Sequence, residues 1–135
     1  MQSTNVELVR GIYGAFAAGD VPGVVGAMSP EIVWNEAENF PYADGNPYIG
    51  PDAVVKGVFA RCIGEWDGFA VHVEEILDAG ATVVALVRYR GTFKATGLAQ
   101  DTQAVHVWRI AGGEVVRFQQ YADTLQAARV TGGAK

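Results

Sequence analysis

The sequence predicts an α+β domain in which N-terminal helices pack against a mostly antiparallel sheet. In the first half of the chain, apolar residues recur at helical spacing, whereas from Gly68 onward they alternate with period two. The alternating segments are joined by short glycine-containing turns, which is typical of a strand meander. The chain has 135 residues, of which 50% are hydrophobic, so residues 1–135 are expected to form one domain around one core.

Capping and breaking residues place the helices. The first helix begins near Thr4, which forms a candidate capping box with Glu7. Apolar residues then follow one helix face until Gly19 ends the helix. Asp20 is placed to cap a short second helix, and Pro51 opens a third.

A strand and a loop lie between the second and third helices. If Glu31–Ala37 is a strand, Ile32, Trp34 and Glu36 share one of its faces, because side chains alternate along a strand. The segment Asn39–Gly50 is rich in Pro, Gly, Asn, Asp and Tyr and is expected to be an irregular loop. Its aromatic residues suit a lid or a rim.

Four strand candidates complete the sheet, and they are Phe69–Leu77, Thr82–Lys94, Thr102–Ile110 and Glu114–Asp123. A closing helix, 124–130, is capped by Asp123 together with Gln126. Both faces of 83–89 are apolar. If one face lined a pocket and the other met solvent, only the first would need apolar side chains. We therefore expect a homodimer.

Composition excludes several classes of partner. Ten Lys and Arg against fifteen Asp and Glu give a net charge of −5, which opposes binding to nucleic acid or to anionic membranes. No apolar stretch approaches the roughly 20 residues of a membrane span, and the first residues lack an export signal, so a cytoplasmic protein is expected. Cys62 is the single cysteine, and His72 and His106 lie far apart, so neither a metal site nor a cofactor is expected.

Four short motifs carry a resemblance to a known family. They are the Tyr-x3-Ala-x-Gly-Asp end of the first helix, Val33-Trp34-Asn35-Glu36, Ile49-Gly50-Pro51-Asp52-Ala53, and Gly113-Glu114-Val115-Val116-Arg117 with Tyr121-Ala122-Asp123. From about Val6 to Ala128 the chain resembles SnoaL-like polyketide cyclases and ketosteroid isomerase-related proteins of the nuclear transport factor 2-like superfamily. The resemblance implies a conical α+β barrel, with helices packed on a strongly curved sheet that encloses an apolar pocket.

Glu36 is the first candidate catalytic residue. Its shared face with Ile32 and Trp34 would desolvate the carboxylate, which raises its pKa and makes it a better base near neutral pH. The resemblance places Glu36 where ketosteroid isomerases carry the aspartate that moves the proton. The alternative is a glutamate at the strand end that faces solvent or pairs with an arginine.

His106 and Tyr13 are candidates for stabilising a developing oxyanion. His106 alternates with Trp108, and the resemblance places it where isomerases carry a protonated aspartic acid; histidine can donate the same hydrogen bond, more strongly as a cation. The alternative for His106 is a satisfied core residue. When the chain is aligned with ketosteroid isomerases on Gly19-Asp20, Ile12 falls at the position of their oxyanion tyrosine, so Tyr13 is expected to line the pocket edge. Trp34 and Trp108 offer aromatic surface to a ligand.

Three further candidates come from the late strands. Some SnoaL-like cyclases use an aspartate of the last strand as their base, so Asp123 is a second catalytic candidate, although helix capping explains it equally well. Tyr121 precedes it on the same strand face and is a candidate ligand contact. Arg88 can orient a carboxylate or pair with Glu36; the sequence Arg88-Tyr89-Arg90 lacks the Arg-x-Asp pair of related epoxide hydrolases.

Three functions remain open from the sequence. The first is a cofactor-independent isomerase or cyclase that removes a proton next to the carbonyl of a small hydrophobic, polyketide-like or steroid-like compound. The second is a non-catalytic module that binds a small hydrophobic ligand in the same pocket. A protein-interaction module ranks last, because the sequence offers no distinctive docking patch.

Overall fold

The computed structural model describes residues 3–133 and confirms the predicted α+β class. The helices are α1 Thr4–Ala17, α2 Val21–Val25, α3 Pro51–Val54, α4 Ala60–Glu65 and α5 Thr124–Val130, with a 3-10 helix at Pro41–Gly45 and a π-helical turn at Val55–Phe59. The strands are β1 Met28–Asn35, β2 Tyr48–Ile49, β3 Trp66–Ala79, β4 Thr82–Phe93, β5 Ala99–Ala111 and β6 Glu114–Ala122.

The six strands form one curved, open sheet with the order β2-β1-β6-β5-β4-β3. Neighbouring strands are antiparallel except β1 and β6, which run parallel. Helix α1 packs against β3 and β4, and α4 packs against β3. We call the side of the sheet that these helices cover the inner face; it holds the core, including the stacked rings of Trp34 and Phe118, whose centroids are 3.7 Å apart.

Side-chain caps fix the helix starts at three places. Asp20 and Asp123 cap α2 and α5 as the sequence predicts, and each accepts a hydrogen bond from a backbone N–H three residues later. The predicted cap of α1 was wrong by one residue: Ser3, not Thr4, accepts the hydrogen bond from Val6 N, at 3.1 Å. In residues 3–133, no helix is long and apolar enough to cross a membrane.

The loop before α3 is part of the pocket wall. It contains the 3-10 helix and β2, which pairs with β1 and which the sequence did not predict. Phe40, Tyr42 and Tyr48 are all buried, at 7%, 3% and 7% exposure. The Tyr42 hydroxyl donates to Glu65 Oε1 at 2.6 Å and accepts a hydrogen bond from Trp66 Nε1 at 2.9 Å. These contacts tie the loop to α4 and to the start of β3, so it is packed against the core, with Phe40 in the cavity wall, rather than forming the expected lid or rim.

Two glycines in the segment 51–65 lead to a stability prediction. A Cβ on Gly57, in the π-helical turn, would overlap the ring of Tyr48, whereas a Cβ on Gly64, in α4, would meet nothing within 4 Å. We expect Gly57→Ala to lower the free energy of unfolding by about 1–3 kcal/mol, because the buried ring must move. Gly64→Ala should raise it by about 0.5–1 kcal/mol, since alanine favours the helix. Urea unfolding of both variants checks this; equal effects would contradict it.

Candidate active site

The inner face of the sheet and the helices enclose an apolar cavity of about 60 Å³. Aromatic side chains form most of its wall, and polar atoms come from a few residues only. The residues that line it are Ile12, Tyr13, Phe16, Val24, Trp34, Glu36, Phe40, Val58, Phe59, Cys62, Phe69, Val71, Tyr89, His106, Trp108, Phe118 and Gln120. An apolar wall with a few converging polar groups is typical of a ligand pocket.

Glu36 lies directly after β1 and turns its side chain into this cavity. The predicted alternation holds, because Ile32, Trp34 and Glu36 are 0%, 4% and 3% exposed. Two hydrogen bonds with the Asn46 side chain hold the Glu36 backbone: its N–H donates to Oδ1 at 2.9 Å, and its carbonyl accepts from Nδ2 at 2.8 Å. This clamp fixes the direction in which the carboxyl group points.

The carboxyl group of Glu36 has an environment suited to proton transfer. Burial raises its pKa to about 8, and the Trp34 indole and the charge of Arg61 offset only part of this. Within residues 3–133, the one hydrogen bond to this carboxyl comes from Trp34 Nε1, 3.1 Å from Oε2, so Oε1 keeps no protein partner. A carboxylate with a raised pKa and one unpaired oxygen can accept a proton near neutral pH.

A hydrogen-bonded network of rings lies in the same cavity. His106, on β5, is 5% exposed and sits between two tyrosine hydroxyls: its Nδ1 is 2.6 Å from Tyr13 Oη, and its Nε2 is hydrogen-bonded to the Tyr89 hydroxyl. Trp108 Nε1 donates to Tyr13 Oη at 3.0 Å. The network therefore joins α1 to β4 and β5 across the cavity.

Gln120, on β6, extends the network from the other side. Its Oε1 accepts a hydrogen bond from Ala37 N at 3.0 Å, and its Nε2 donates to the Tyr89 hydroxyl at 2.7 Å. Register explains why β6 reaches the network, since Gln120 and His106 are paired residues on neighbouring strands. The oxygens of Tyr13, Tyr89 and the Gln120 side chain therefore all have hydrogen-bond partners inside the protein.

The contacts of His106 fit a satisfied core residue, the alternative that the sequence analysis gave, rather than a free hydrogen-bond donor. Burial lowers the pKa of the imidazole to about 3, so the ring is neutral at physiological pH. Both of its nitrogens are already occupied by Tyr13 and Tyr89, so His106 does not itself present a free N–H to a ligand. The group that can reach a ligand oxygen is a tyrosine hydroxyl.

The Tyr13 hydroxyl lies in the cavity, which the alignment on Gly19-Asp20 does not predict. Although Ile12 matches the position of the isomerase tyrosine, both Ile12 and Tyr13 line the cavity, and the Tyr13 hydroxyl is part of the network. The tyrosine side chain is long enough to bring its hydroxyl inside from the neighbouring helical position. The Trp34 and Trp108 rings also line the cavity, as the sequence suggests.

Arg88, Tyr121 and Asp123 are not brought to this cavity. Arg88 lies on the opposite face of β4 from Tyr89, and its Nε is 2.6 Å from Asp101 Oδ1, so it does not pair with Glu36. Tyr121 is 58% exposed and, with Asp123, borders an open depression on the outer face of the sheet. Asp123 serves as the cap of α5.

Two residues of the network, Tyr89 and Gln120, were missed by the sequence analysis. The signal for both is alternation: Tyr89 lies between Arg88 and Arg90, which face outward, and Gln120 follows Phe118 on the inner face. Nothing in the sequence shows that their polar atoms meet His106, because that contact depends on the pairing of β4, β5 and β6.

The cavity lies beside a surface depression. Phe16, Cys62 and Phe69 line both the cavity and a surface depression beside the end of α1 and the start of β3. Burial raises the pKa of the Cys62 thiol, which keeps it protonated, as expected of a filler in the core. In the part of the chain that the structure describes, no three His, Cys, Asp or Glu side chains form a cluster that could hold a metal ion.

Comparisons with known proteins agree with this architecture. The SnoaL-like domain family matches residues 9–118. An NTF2-like protein from Burkholderia thailandensis has a TM-score of 0.89 and 35% identity, with 96% of this chain and 98% of that chain covered. An NTF2-like protein of unknown function from Burkholderia pseudomallei has a TM-score of 0.87 and 29% identity, with 96% and 98% covered.

A more distant neighbour shows the same fold. A provisional SnoaL-like polyketide cyclase from Jannaschia sp. has a TM-score of 0.81 and 18% identity, with 97% of this chain and 96% of that chain covered. No curated protein matches the chain. Because the family match spans most of the sequence and the described fold agrees with it, the chain belongs to the SnoaL-like domain family, among the NTF2-like proteins.

Proposed function

We propose that this protein is a cofactor-independent isomerase or cyclase that acts on a small hydrophobic carbonyl compound. One observation carries the proposal: the buried carboxyl group of Glu36 shares an apolar cavity with the hydroxyl network of Tyr13, His106 and Tyr89. A base of raised pKa and a neutral hydrogen-bond donor in one apolar pocket are the two groups that enolisation requires.

The proposed first step moves one proton. Glu36, as the carboxylate, takes a proton from the carbon next to the carbonyl, and the electron pair of the broken C–H bond moves into the enolate. A tyrosine hydroxyl of the network donates a hydrogen bond to the developing oxyanion. Return of the proton from Glu36 to another carbon of a conjugated enolate gives isomerisation. Attack of the enolate carbon on a second carbonyl gives cyclisation, and the alkoxide that forms takes the proton back from Glu36.

The cavity restricts the substrate. Its volume of about 60 Å³ is below the roughly 150 Å³ of a cavity that holds benzene, so a ring compound requires side chains of the wall to move. Phe16 and Phe69 lie between the cavity and the neighbouring surface depression, so they are the side chains whose movement would widen the cavity toward the surface. The proposal therefore favours a flat, largely apolar compound whose carbonyl enters first.

Deuterium exchange tests the proposal without knowledge of the product. The wild type and Glu36→Gln are incubated with a panel of cyclic and aromatic ketones in deuterated buffer, and loss of the α-proton signal is followed by NMR. Exchange that depends on Glu36 supports the proposal and narrows the substrate class. If no ketone exchanges its α protons but one binds tightly, the proposed catalysis is wrong and the binding function described below is favoured.

A second candidate function is binding without catalysis. With a pKa of about 8, most Glu36 carboxyl groups are protonated at pH 7 and can donate a hydrogen bond to a ligand carbonyl. A pocket with two neutral donors would hold a hydrophobic ketone without moving a proton. Bound ketone that keeps its α protons at pH 8, where half of the Glu36 carboxyls are ionised, would favour this function.

The outer face of the sheet supports the proposed homodimer. Val84, Leu86, Val105 and Val107 lie on this face of β4 and β5, and none of them is fully buried. Pairing of two such faces would remove these apolar side chains from water. We expect sedimentation at high micromolar concentration to give a dimer, and Leu86→Arg to shift it toward monomer; a wild type that sediments only as a monomer contradicts this.

A further inference from the structure

The hydrogen bonds of His106 restrict where the protons of the network lie. Because its ring is neutral, it carries one N–H and one acceptor nitrogen. Its two nitrogens contact the hydroxyls of Tyr13 and Tyr89. One tyrosine must therefore donate its proton to His106, and the other must accept the N–H of His106.

Both tyrosine oxygens already accept another hydrogen bond. The indole N–H of Trp108, which can only donate, binds the Tyr13 oxygen. The amide of Gln120 is oriented by the backbone N–H that its Oε1 accepts, so its Nε2 donates to the Tyr89 oxygen. The tyrosine that accepts from His106 thus receives two hydrogen bonds and keeps its own proton unused. Within residues 3–133, neither hydroxyl has a further hydrogen-bond partner.

The position of Glu36 indicates which tyrosine keeps the unused proton. Gln120 Oε1 accepts a hydrogen bond at 3.0 Å from the N–H of Ala37, the residue after Glu36, and Nε2 of the same amide donates to the Tyr89 hydroxyl at 2.7 Å. The Tyr89 hydroxyl therefore lies on the Glu36 side of the network. The Glu36 carboxylate has to reach the carbon next to the carbonyl, and before the proton moves the partly negative carbonyl oxygen is more stable on the far side of that carbon. Tyr13 is the hydroxyl that meets this requirement.

We propose that the ligand oxygen binds the hydroxyl of Tyr13, and that His106 is a positioning residue that leaves this hydroxyl proton free by carrying its own proton on Nδ1. Hydrogen bonds then run in one direction, from Gln120 through Tyr89 and His106 to Tyr13 and the ligand. Each donor polarises the next, which strengthens the last hydrogen bond. The inference rests on the proposed function only in that the ligand oxygen is taken to be a carbonyl or enolate oxygen.

Nitrogen NMR of the imidazole tests the tautomer directly. The chain has two histidines, so the His72→Gln variant leaves the ¹⁵N signals of His106 alone in the spectrum, and His72 is exposed and outside the cavity. We expect a protonated Nδ1 and an unprotonated Nε2 from pH 5 to 8. A proton on Nε2, or on both nitrogens at pH 7, overturns the inference.

Binding of 4-nitrophenolate tests the donor. This anion resembles an enolate, and its absorbance reports binding without any reaction. We expect Tyr13→Phe to weaken its affinity by about 10- to 100-fold, the effect of losing a hydrogen bond to a charged group. Tyr89→Phe should weaken it less and should shift the His106 ¹⁵N signals toward a mixture of tautomers, which a purely structural role would not do.

The outcomes separate this inference from the proposed function. Equal affinity in the wild type and Tyr13→Phe, or no binding to the wild type, overturns the role of Tyr13 even if ketone exchange still depends on Glu36. Conversely, if Glu36→Gln leaves the exchange rate unchanged, the proposed catalysis is wrong. The tautomer of His106 and the contact of Tyr13 with the phenolate are still decided by their own measurements.

Discussion

Replacement of Glu36 by glutamine is expected to slow α-proton exchange in a responsive ketone by about 10²- to 10⁴-fold. The amide keeps the size of the side chain and can still meet the Trp34 indole, which donates to Glu36 Oε2 in the wild type. It cannot take a proton, however, so only the contribution of the hydroxyl network remains. NMR exchange rates of the two proteins at one pH give the ratio.

The wild-type rate should also follow the ionisation of Glu36. Its pKa of about 8 means that only about one tenth of the carboxyl groups are ionised at pH 7. We expect the exchange rate to rise about tenfold per pH unit below pH 7 and to level off above pH 8. A rate that is flat from pH 6 to 9 would contradict the assignment of Glu36 as the base.

Glu38 provides the matched control. It lies two residues farther along the chain and is exposed, so Glu38→Gln changes the same charge outside the cavity. We expect it to leave both the exchange rate and its pH profile unchanged. A comparable loss in Glu38→Gln would show that net charge, rather than a base in the cavity, determines the rate.

The second large effect is a stability plateau between about pH 4.5 and 6.5, with a loss on each side. Burial raises the pKa of Glu36 from 4.5 to about 8, so between these values the folded protein holds a proton that the unfolded chain has released. Stability contributed by the protonated carboxyl therefore falls as the pH rises, by about 1.4 kcal/mol per unit.

His106 acts in the opposite direction. Burial lowers its pKa from 6.5 to about 3, so between these values the unfolded chain binds a proton that the folded protein excludes. Its contribution therefore falls as the pH is lowered, by the same amount per unit. The two slopes cancel where their ranges overlap, and each acts alone outside it. The expected loss is roughly 2 kcal/mol from pH 6.5 to 8 and again from pH 4.5 to 3.

Urea unfolding at a series of pH values measures these contributions. The difference between wild type and Glu36→Gln should change by roughly 5 kcal/mol between pH 4.5 and 8 and remain constant above it. His106→Gln should reduce the acid-side loss, and His72→Gln, at an exposed position, should not. The part that remains belongs to Asp44 and Asp101, whose ion pairs with Arg61 and Arg88 lower their pKa values, so that their contribution is also lost in acid. Parallel curves for wild type and Glu36→Gln would show that the carboxyl is not buried as described.

The fold could be predicted from local signals because those signals and the packing agree. The change of apolar period near Gly68 separates the helices from the meander, and the capping aspartates Asp20 and Asp123 start their helices where expected. Strand β2 was missed because two residues carry no periodicity, and its place is set by pairing with β1. The aromatic residues of the preceding loop carry no local sign that they pack as a wall.

The candidate site, like the fold, could be predicted in part from local signals. Alternation along β1 is enough to place Glu36 beside Ile32 and Trp34 on one strand face, and it separates the outward Arg88 from the inward Tyr89. These are properties of a single strand, whose side chains have fixed directions.

What only the tertiary structure decided is which side chains meet. His106 is a neutral, buried ring between two hydroxyls, rather than a free donor facing a ligand, because β4 and α1 bring Tyr89 and Tyr13 to its two nitrogens. Arg88 forms an ion pair with Asp101 on the outer face rather than with Glu36. The sequence by itself determined the α+β class and which residues share a strand face, since these follow from local geometry. Proton positions and pKa values depend on contacts between residues distant in the chain, and those exist only in the folded molecule.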